Sequence, residues 1–377
     1  MEKMIFTLTE QMKDALQLLQ RTVTVKKGSG GAYPEGVLFY KDNLAAISAD
    51  LSITYKLTSD ETGFVSQLFD ERVIVPVKGL QVILDSVENS EITLSVENNI
   101  LSVKKNSKRG VAQIALSDKH FPDIPPLDVA GKDAVPVKEF LHAIKTTSYA
   151  MSKNESKPLY TGMHMISDGK TLTIFAIDGF RVSLWTQPYA SDSFTISIPA
   201  KTVDKLTAAL SKASGNLTVV RCNGGRQAAF VIGKLVIRTN LLIGELLDLS
   251  TIVTKKKNEV EVEKSPCLSI LKTVSMLQED RLKNPLRVNL ANDRIVFNYR
   301  GANSQYEDEC AVSASESAET VMIGLNNSYL QDTLNACPAD SLKVQYDGAL
   351  SPVLFRSKSE QAEVVQVIVP MRLAAEQ

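Results

Sequence analysis

A chain of 377 residues is longer than one compact core holds and suits two or three domains. It is 44% hydrophobic and 23% charged with a formal net charge of −1, the composition of a folded soluble protein without a global basic field. That balance gives no support to nucleic-acid binding and does not exclude it, because a basic face can be offset by acidic surface elsewhere.

The opening MEKMIFTLTE lacks the layout of a secretory signal, and an amphipathic helix follows over 8–23. The glycine-rich KKGSGGAYPEG (26–36) lacks the Gly-Lys-Ser/Thr ending of a phosphate loop and reads as a flexible connection. A hairpin over 36–55 turns at Asp42-Asn43. VIVPVKGLQVILDSV (73–87) is then a strand with Val73 and Val75 on one face, a proline, and a helix burying Leu80, Ile83, Leu84 and Val87. Strands fill 91–104, and FPDIPPLDVAGKD (121–133) reads as a joint.

The same order then recurs. A helix over 136–151 precedes a hairpin over 162–185 turning at Asp168-Gly169. The strand carrying Ile196 and Ile198 leads to a helix burying Val203, Leu206, Thr207 and Leu210, with further strands over 216–240. The apolar tract 228–247 is interrupted by Lys234, Arg238 and Glu245, so it reads as two buried strands and a turn, not a membrane span. After the charged linker 254–264, a third helix (265–278) and a hairpin (286–301) turning at Asn292-Asp293 follow. The strand with Val321 and Ile323 leads to a helix burying Leu330, Thr333, Leu334 and Cys337, and strands over 341–369 end the unit.

The strands recur at intervals of 123 and 125 residues and the helices at 123 and 127, so the third turn is two residues longer. The pattern predicts an α+β fold of three tandem repeats, each with two helices and a large antiparallel sheet, over 1–127, 128–255 and 256–377. Catalytic groupings are not evident. His120, His142 and His164 fall in a loop, a helix and a strand without metal-ligand spacing, and no GxSxG, Walker or GxGxxG motif occurs. Cys222, Cys267, Cys310 and Cys337 form no CxxC pair, which argues against zinc or a disulfide framework and fits a reducing, cytoplasmic setting. No cofactor or metal is implied, and an enzyme with a dispersed site is the least supported reading.

Three tandem α+β units resemble one family, the β sliding clamp of bacterial DNA polymerase III. The resemblance rests on FAIDGFRVSLW (175–185), HFPDIP (120–125), IGLNNSYLQDTLNA (323–336), ALSPVLFR (349–356) and VIVPMRL (367–373), in order along the whole chain. It implies a non-enzymatic processivity factor: a head-to-tail homodimer forming a six-domain ring around double-stranded DNA, helices inside and sheets outside. Its implied partners are the polymerase catalytic subunit, a clamp loader, and repair polymerases, mismatch repair proteins and ligase that dock through short linear peptides. A topological link needs no strong phosphate neutralisation, which suits the near-neutral charge.

The resemblance implies a peptide cleft walled by Tyr160, Ile177, Gly179, Phe180, Arg181 and Val182 on one side. Leu247, Ile252, Pro352, Val367, Val369, Pro370, Met371, Arg372 and Leu373 form the other. Gly179 would permit close approach, Met371 could repack around varied ligands, and Arg181 either orients a peptide or braces the turn beside Asp178. Phe180 stands where the family commonly has His and Ile177 where it has Thr. Leu247 takes a usual Pro position, and Ala374–Gln377 run past the usual terminus. The cleft is therefore expected to be greasier than typical, and a clamp-fold interaction scaffold that does not encircle DNA is the alternative.

DNA-facing candidates are Lys13, Arg21, Lys138, Lys145, Lys201, Lys205, Lys212, Lys264 and Lys272 near the helices, with Lys26, Lys27, Lys153 and Asn154 in loops. Each alone also reads as a solvated helix face; their recurrence on both helix sets groups them, for contacts to phosphates without base readout. For ring closure the resemblance pairs an edge strand at 108–116, with Lys108, Arg109, Val111 and Gln113, against one at 305–310 with Glu307 and Asp308. Met276 and Leu277 would serve as apolar plugs, and basic against acidic edges would favour head-to-tail pairing.

Overall fold

The structure, a computed structural model, describes residues 2–23, 33–57, 65–105, 110–116, 120–278, 284–314 and 318–373. Lys26, Lys27, Lys108, Arg109 and the Ala374–Gln377 tail lie outside these residues.

The first repeat contains β1 (Glu2–Thr7), α1 (Glu10–Thr22), β2 (Gly36–Tyr40), β3 (Asn43–Ile47), β4 (Leu51–Lys56), β5 (Val65–Gln67), β6 (Val73–Pro76), α2 (Val77–Leu84), β7 (Glu91–Glu97), β8 (Ile100–Lys105) and β9 (Val111–Ala115). The second contains β10 (Val129–Pro136), α3 (Val137–Thr147), β11 (Gly162–Ser167), β12 (Thr171–Ile177), β13 (Arg181–Pro188), β14 (Phe194–Pro199), α4 (Ala200–Leu210), β15 (Asn216–Cys222), β16 (Gln227–Ile232) and β17 (Leu235–Asn240). The third contains β18 (Asn258–Glu263), α5 (Lys264–Leu277), β19 (Leu286–Leu290), β20 (Arg294–Arg300), β21 (Gln305–Ala314), β22 (Val321–Leu325), α6 (Asn327–Ala336), β23 (Ser341–Tyr346), β24 (Val353–Lys358) and β25 (Glu363–Ile368). Apart from β5, each repeat runs strand, helix, four strands, helix, three strands. The two helices and the strands after each follow the periodicity, whereas the strand before each first helix is unexpected: β10 begins within the stretch read as a joint (121–133), and β18 lies in the one read as a charged linker (254–264).

In the first two repeats a strand ending in proline runs directly into the second helix, at Pro76 and Pro199. Proline suits that place because its fixed φ fits the junction and no helical N–H is lost. The third repeat inserts Asn326, whose side chain accepts from the Tyr329 N–H at 3.2 Å and caps α6. Thr9 caps α1 in the same way, accepting from Met12 N–H at 3.2 Å. Asn327 is buried on α6 and donates to the Ser275 hydroxyl of α5 at 2.8 Å, tying the two helices of the third repeat together.

Two further local expectations are corrected. Val87 is 69% exposed, because α2 stops at Leu84 with Asp85 as its C-cap. The first hairpin turns at Lys41-Asp42, with Lys41 in the left-handed region at φ 48°, and Asn43 already pairs with Tyr40.

The chain packs as two compact units, residues 1–140 with 204–241 and residues 141–203 with 242–377. The first holds a five-stranded sheet, β5-β1-β7-β8-β9, and an eight-stranded one, β10-β15-β16-β17-β4-β3-β2-β6. The second holds a twelve-stranded sheet, β14-β11-β12-β13-β25-β24-β23-β18-β21-β20-β19-β22. The expectation of one sheet per repeat is therefore refined. In the first unit β17 pairs with β4, from Leu235 opposite Tyr55 to Thr239 opposite Leu51. In the second, β25 pairs with β13, from Arg181 opposite Ile368 to Thr186 opposite Glu363. Both seams obey one rule: the last strand of a repeat joins the fourth strand of the repeat before it. All ladders are antiparallel, and the apolar faces bury cores such as Val260, Leu271, Phe297 and Tyr346 in the third repeat.

His164, on β11, is fully buried, with Nδ1 2.8 Å from the Ser197 hydroxyl and its ring 4.8 Å from that of Phe175. Burial lowers its pKa from 6.5 to about 4, against the pull of the Leu159 backbone. The folded state thus resists a proton that the unfolded chain accepts. This contribution to stability is complete above pH 6.5 and erodes as pH falls toward 4. The loss reaches about 3 kcal/mol. Urea midpoints measured from pH 7.5 to 4.5 should fall more steeply for the wild type than for His164→Gln; parallel slopes would refute the assignment.

Candidate partner cleft, helix cations and open edges

The cleft residues named from the sequence gather in the second unit, around the β12–β13 turn and the end of β25. Asp178 organises that turn: its Oδ1 accepts the N–H groups of Phe180 at 2.8 Å and Arg181 at 3.0 Å. Gly179 adopts φ 96°, a left-handed conformation that explains the glycine. Close approach does not explain it, since an added Cβ would meet only a Tyr160 ring carbon at 3.9 Å. The close approach is at Gly324 on β22, where an added Cβ would lie 2.6 Å from the Met371 carbonyl. There the Met371 N–H donates to the Gly324 carbonyl at 2.8 Å and ties the C-terminal segment down. The Val369 N–H likewise donates to the Phe180 carbonyl at 2.8 Å.

Ile177, Val182 and Val367 are buried with Phe175, Leu184, Leu249 and Leu354, so they form a packed floor. Tyr160, Ile252, Pro352, Pro370, Met371 and Leu373 are half-buried above it, and Gly179 and Arg372 are exposed. Phe180 (60%), Leu247 (48%) and Val369 present apolar surface to solvent. The 243–253 segment holds this arrangement by turning Leu246, Leu249, Ile252 and Val253 inward. Asp248 shapes its turn by accepting the Ser250 N–H at 2.9 Å, which with the Ser250 hydroxyl holds its carboxyl below the usual range. Ile243, 75% exposed beside the Gly244 that rests on Leu159, was missed from the sequence, where nothing distinguishes it from a strand residue.

Arg181 is engaged inside the protein. Its Nε donates to Asp178 at 2.8 Å, Nη1 to Asp332 of α6 at 2.6 Å and Nη2 to the Tyr149 carbonyl at 2.8 Å. The guanidinium also lies 4.3 Å from the Tyr329 ring centroid and 5.1 Å from that of Tyr149. Burial works against its charge, but the hydrogen bond to Asp332 and the field of Asp178 outweigh it and keep the group protonated. Of the two roles left open by the sequence, the geometry favours bracing over peptide orientation.

The cations named for DNA divide in the same way. Arg21, Lys138, Lys145, Lys153, Asn154, Lys201 and Lys272 are exposed. Lys212 is exposed too, yet it ion-pairs with Asp14. Lys13 Nζ reaches the Ser86 carbonyl at 3.4 Å, Lys205 Nζ the Arg21 carbonyl at 2.8 Å, and Lys264 Nζ the Cys337 carbonyl at 3.0 Å. Burial lowers the pKa of Lys205, and the neighbouring Arg21 charge adds to that. Arg21 and Lys212 also line a cavity of about 400 Å³ floored by Leu18, Tyr55, Ile232 and Leu235.

At the edges, β9 is the outer strand of the five-stranded sheet, with Val111 and Gln113 exposed. In β21, Val312–Ala314 pair with β18, whereas Gln305–Ala311 pair with β20 alone among the described residues. That half carries exposed Glu307 and Asp308, and the Tyr306 hydroxyl donates to Asp308 at 2.7 Å. Met276, at the end of α5, is 84% exposed, and Leu277 is half-buried.

Removing the brace strands two carboxylates and a carbonyl, so Arg181→Ala should cost about 2–4 kcal/mol and lower the melting midpoint. Phe180→Ala, at a solvent-facing position, should change stability by less than about 0.5 kcal/mol. Chemical denaturation of both variants checks the contrast; equal stabilities would refute the bracing role.

Comparisons with known proteins agree with this architecture. The family model for the DNA polymerase III beta subunit, central domain, matches residues 134–248, and that for its C-terminal domain matches 250–372. The chain is 20% identical to the beta sliding clamp of Bacillus subtilis, covering 97% of each chain. It is 19% identical to that of a Staphylococcus epidermidis strain, covering 96% of each. The crystal structure of the Bacillus subtilis DNA polymerase sliding clamp superposes with a TM-score of 0.89 at 17% identity, covering 99% of this chain and all of that one. A Bartonella birtlesii sliding clamp bound to griselimycin gives 0.84 at 22% identity, covering 98% of this chain and all of that one. With its repeat order, its seams and two family domains matched in succession, the chain belongs to the DNA polymerase III β-subunit family, the β sliding clamps.

Proposed function

We propose that this protein is a non-catalytic DNA sliding clamp, acting in the cytoplasm as a head-to-tail homodimer that encircles double-stranded DNA. Its domains are residues 1–127, 128–255 and 256–377. The observation that carries the reading is the seam rule. β17 joins β4 and β25 joins β13, which leaves one last strand, β9, and one fourth strand, β21, each with an open edge. Applied to two copies, the same rule joins β9 of each to β21 of the other and closes a cycle in which neither of these strands keeps an open edge. Exposed Glu307 and Asp308 on β21, facing the lysine-rich flank of β9, set the head-to-tail sense.

Inside such a ring, Arg21, Lys138, Lys145, Lys153, Lys201 and Lys272 supply weak, sequence-independent contacts to passing phosphates. The polymerase catalytic subunit, repair polymerases, mismatch repair proteins and ligase dock as short linear peptides in the cleft around Phe180, Leu247 and Val369. A clamp loader opens the ring. The exposed phenyl ring of Phe180 favours peptides with more apolar contact than the family commonly uses.

Three outcomes test this reading. After loader-assisted loading on nicked circular DNA, the protein should stay bound in high salt and be lost once the circle is linearised. Loss from both forms, with a control clamp retained, would replace the ring by a clamp-fold scaffold that does not encircle DNA. Met276→Glu should raise the dimer dissociation constant at least about tenfold, or 1.4 kcal/mol, by sedimentation. An unchanged constant would remove Met276 from the seam. Phe180→Ala should weaken a clamp-binding peptide by about tenfold or more in a fluorescence titration; unaltered affinity would place the docking site elsewhere.

A further inference from the structure

Two cysteines that the clamp activity does not use face each other in the third repeat. Cys267, in the first turn of α5, and Cys310, on β21 opposite Ile295, have their Sγ atoms 3.1 Å apart. Both are buried in the apolar core that includes Ile270, Leu271 and Phe297. The remaining cysteines have no such neighbour: the Cys222 thiol donates to the Val220 carbonyl at 3.6 Å and the Cys337 thiol to the Ala339 carbonyl at 3.5 Å. A disulfide is about 2.05 Å long, so the Cys267–Cys310 pair is roughly 1 Å of sulfur movement from bonding.

We propose that Cys267 and Cys310 form a reversible dithiol–disulfide site, oxidised by hydrogen peroxide, that staples α5 to β21. The Cys310 sulfur attacks one peroxide oxygen. An S–O bond forms, the O–O bond breaks, and the departing oxygen leaves as water with the thiol proton, giving a sulfenic acid. The Cys267 sulfur then attacks the Cys310 sulfur; the S–S bond forms, the S–O bond breaks, and a second water leaves with the Cys267 proton. Two electrons pass from the thiols to one peroxide, and a dithiol reductant returns them. The order of attack is written for Cys267 as the donor in the pair's own hydrogen bond. Either thiol can donate in that bond; with Cys267 as the donor, it lowers the Cys310 thiol below its ordinary range, whereas that bond and burial raise Cys267. The site acts on β21, whose Gln305–Ala311 half pairs with β20 alone among the described residues; just before it, the Ser304 hydroxyl donates to the Leu277 carbonyl at the end of α5 at 3.1 Å. The chemistry of the pair does not depend on what occupies the other edge of that half.

The test uses the reduced full-length protein. It is treated with hydrogen peroxide, quenched with catalase, unfolded in N-ethylmaleimide and analysed by mass spectrometry. The expected result is that two of the four thiols escape alkylation, that a peptide linking Cys267 to Cys310 appears, and that dithiothreitol restores all four. The oxidised form should also melt at a higher temperature than the reduced one. In Cys310→Ala the linked peptide should vanish while Cys222 and Cys337 stay alkylated. Four alkylated thiols at a peroxide dose that fully oxidises glutathione would overturn the proposal. So would a link through Cys222 or Cys337, or oxidation of Cys310 to the sulfinic acid without a link.

Discussion

Antiparallel pairing across the repeats is the constraint on which the rest depends. A sheet edge is a row of unspent donors and acceptors, and a repeat that ended its own sheet would expose two of them. Here the edges at β4 and β17, and those at β13 and β25, are spent on each other. The second seam also forms the proposed partner cleft, because Val182 opposite Val367 and Val369 against Phe180 bring the β12–β13 turn to the C-terminal segment. The candidate cleft is thus a by-product of the seam, and its floor of Ile177, Val182 and Val367 is buried sheet core.

Local periodicity made the repeat legible. Pairs such as Val73 and Val75, or Ile196 and Ile198, announce a one-sided strand, and the i, i+3, i+4 spacing after them announces a helix lying on it. The seams were not legible. LSITYK and LVIRTN are two half-buried strands among many, and which edges meet is decided by the match of whole sheets. Val87 shows the limit in a helix. The apolar spacing runs past Asp85, but the chain has already turned toward Asn89 in its left-handed conformation. The cleft residues came from family resemblance. Their places could be named, but not which were floor, rim or brace.

Arg181 illustrates why. Its neighbour in sequence, Asp178, was visible, whereas Asp332 and Tyr329 lie about 150 residues away on α6. A cation enclosed by two carboxylates, a carbonyl and two rings has little left to offer a ligand, and its worth is in holding a turn against a helix. The same accounting thins the lysines. Lys212 and Lys205 serve local carboxyl and carbonyl partners, so the free charge on the helices is less than a count of residues implies. A weaker field suits a protein whose proposed hold on DNA is geometric.

The six seams of the proposed ring are of three kinds, chemically alike but different in one respect. The polypeptide itself crosses between the strands that meet at β4–β17 and at β13–β25, so those contacts are intramolecular and have no dissociation constant. Only a β9–β21 seam lacks a chain running through it. In a dimer the first such seam forms by a second-order encounter that follows the concentration of the protein, and the second then closes within the pair, so the same strand geometry that is permanent twice in each chain becomes, at its third use, a gate that opens and shuts while its twin holds the two copies together.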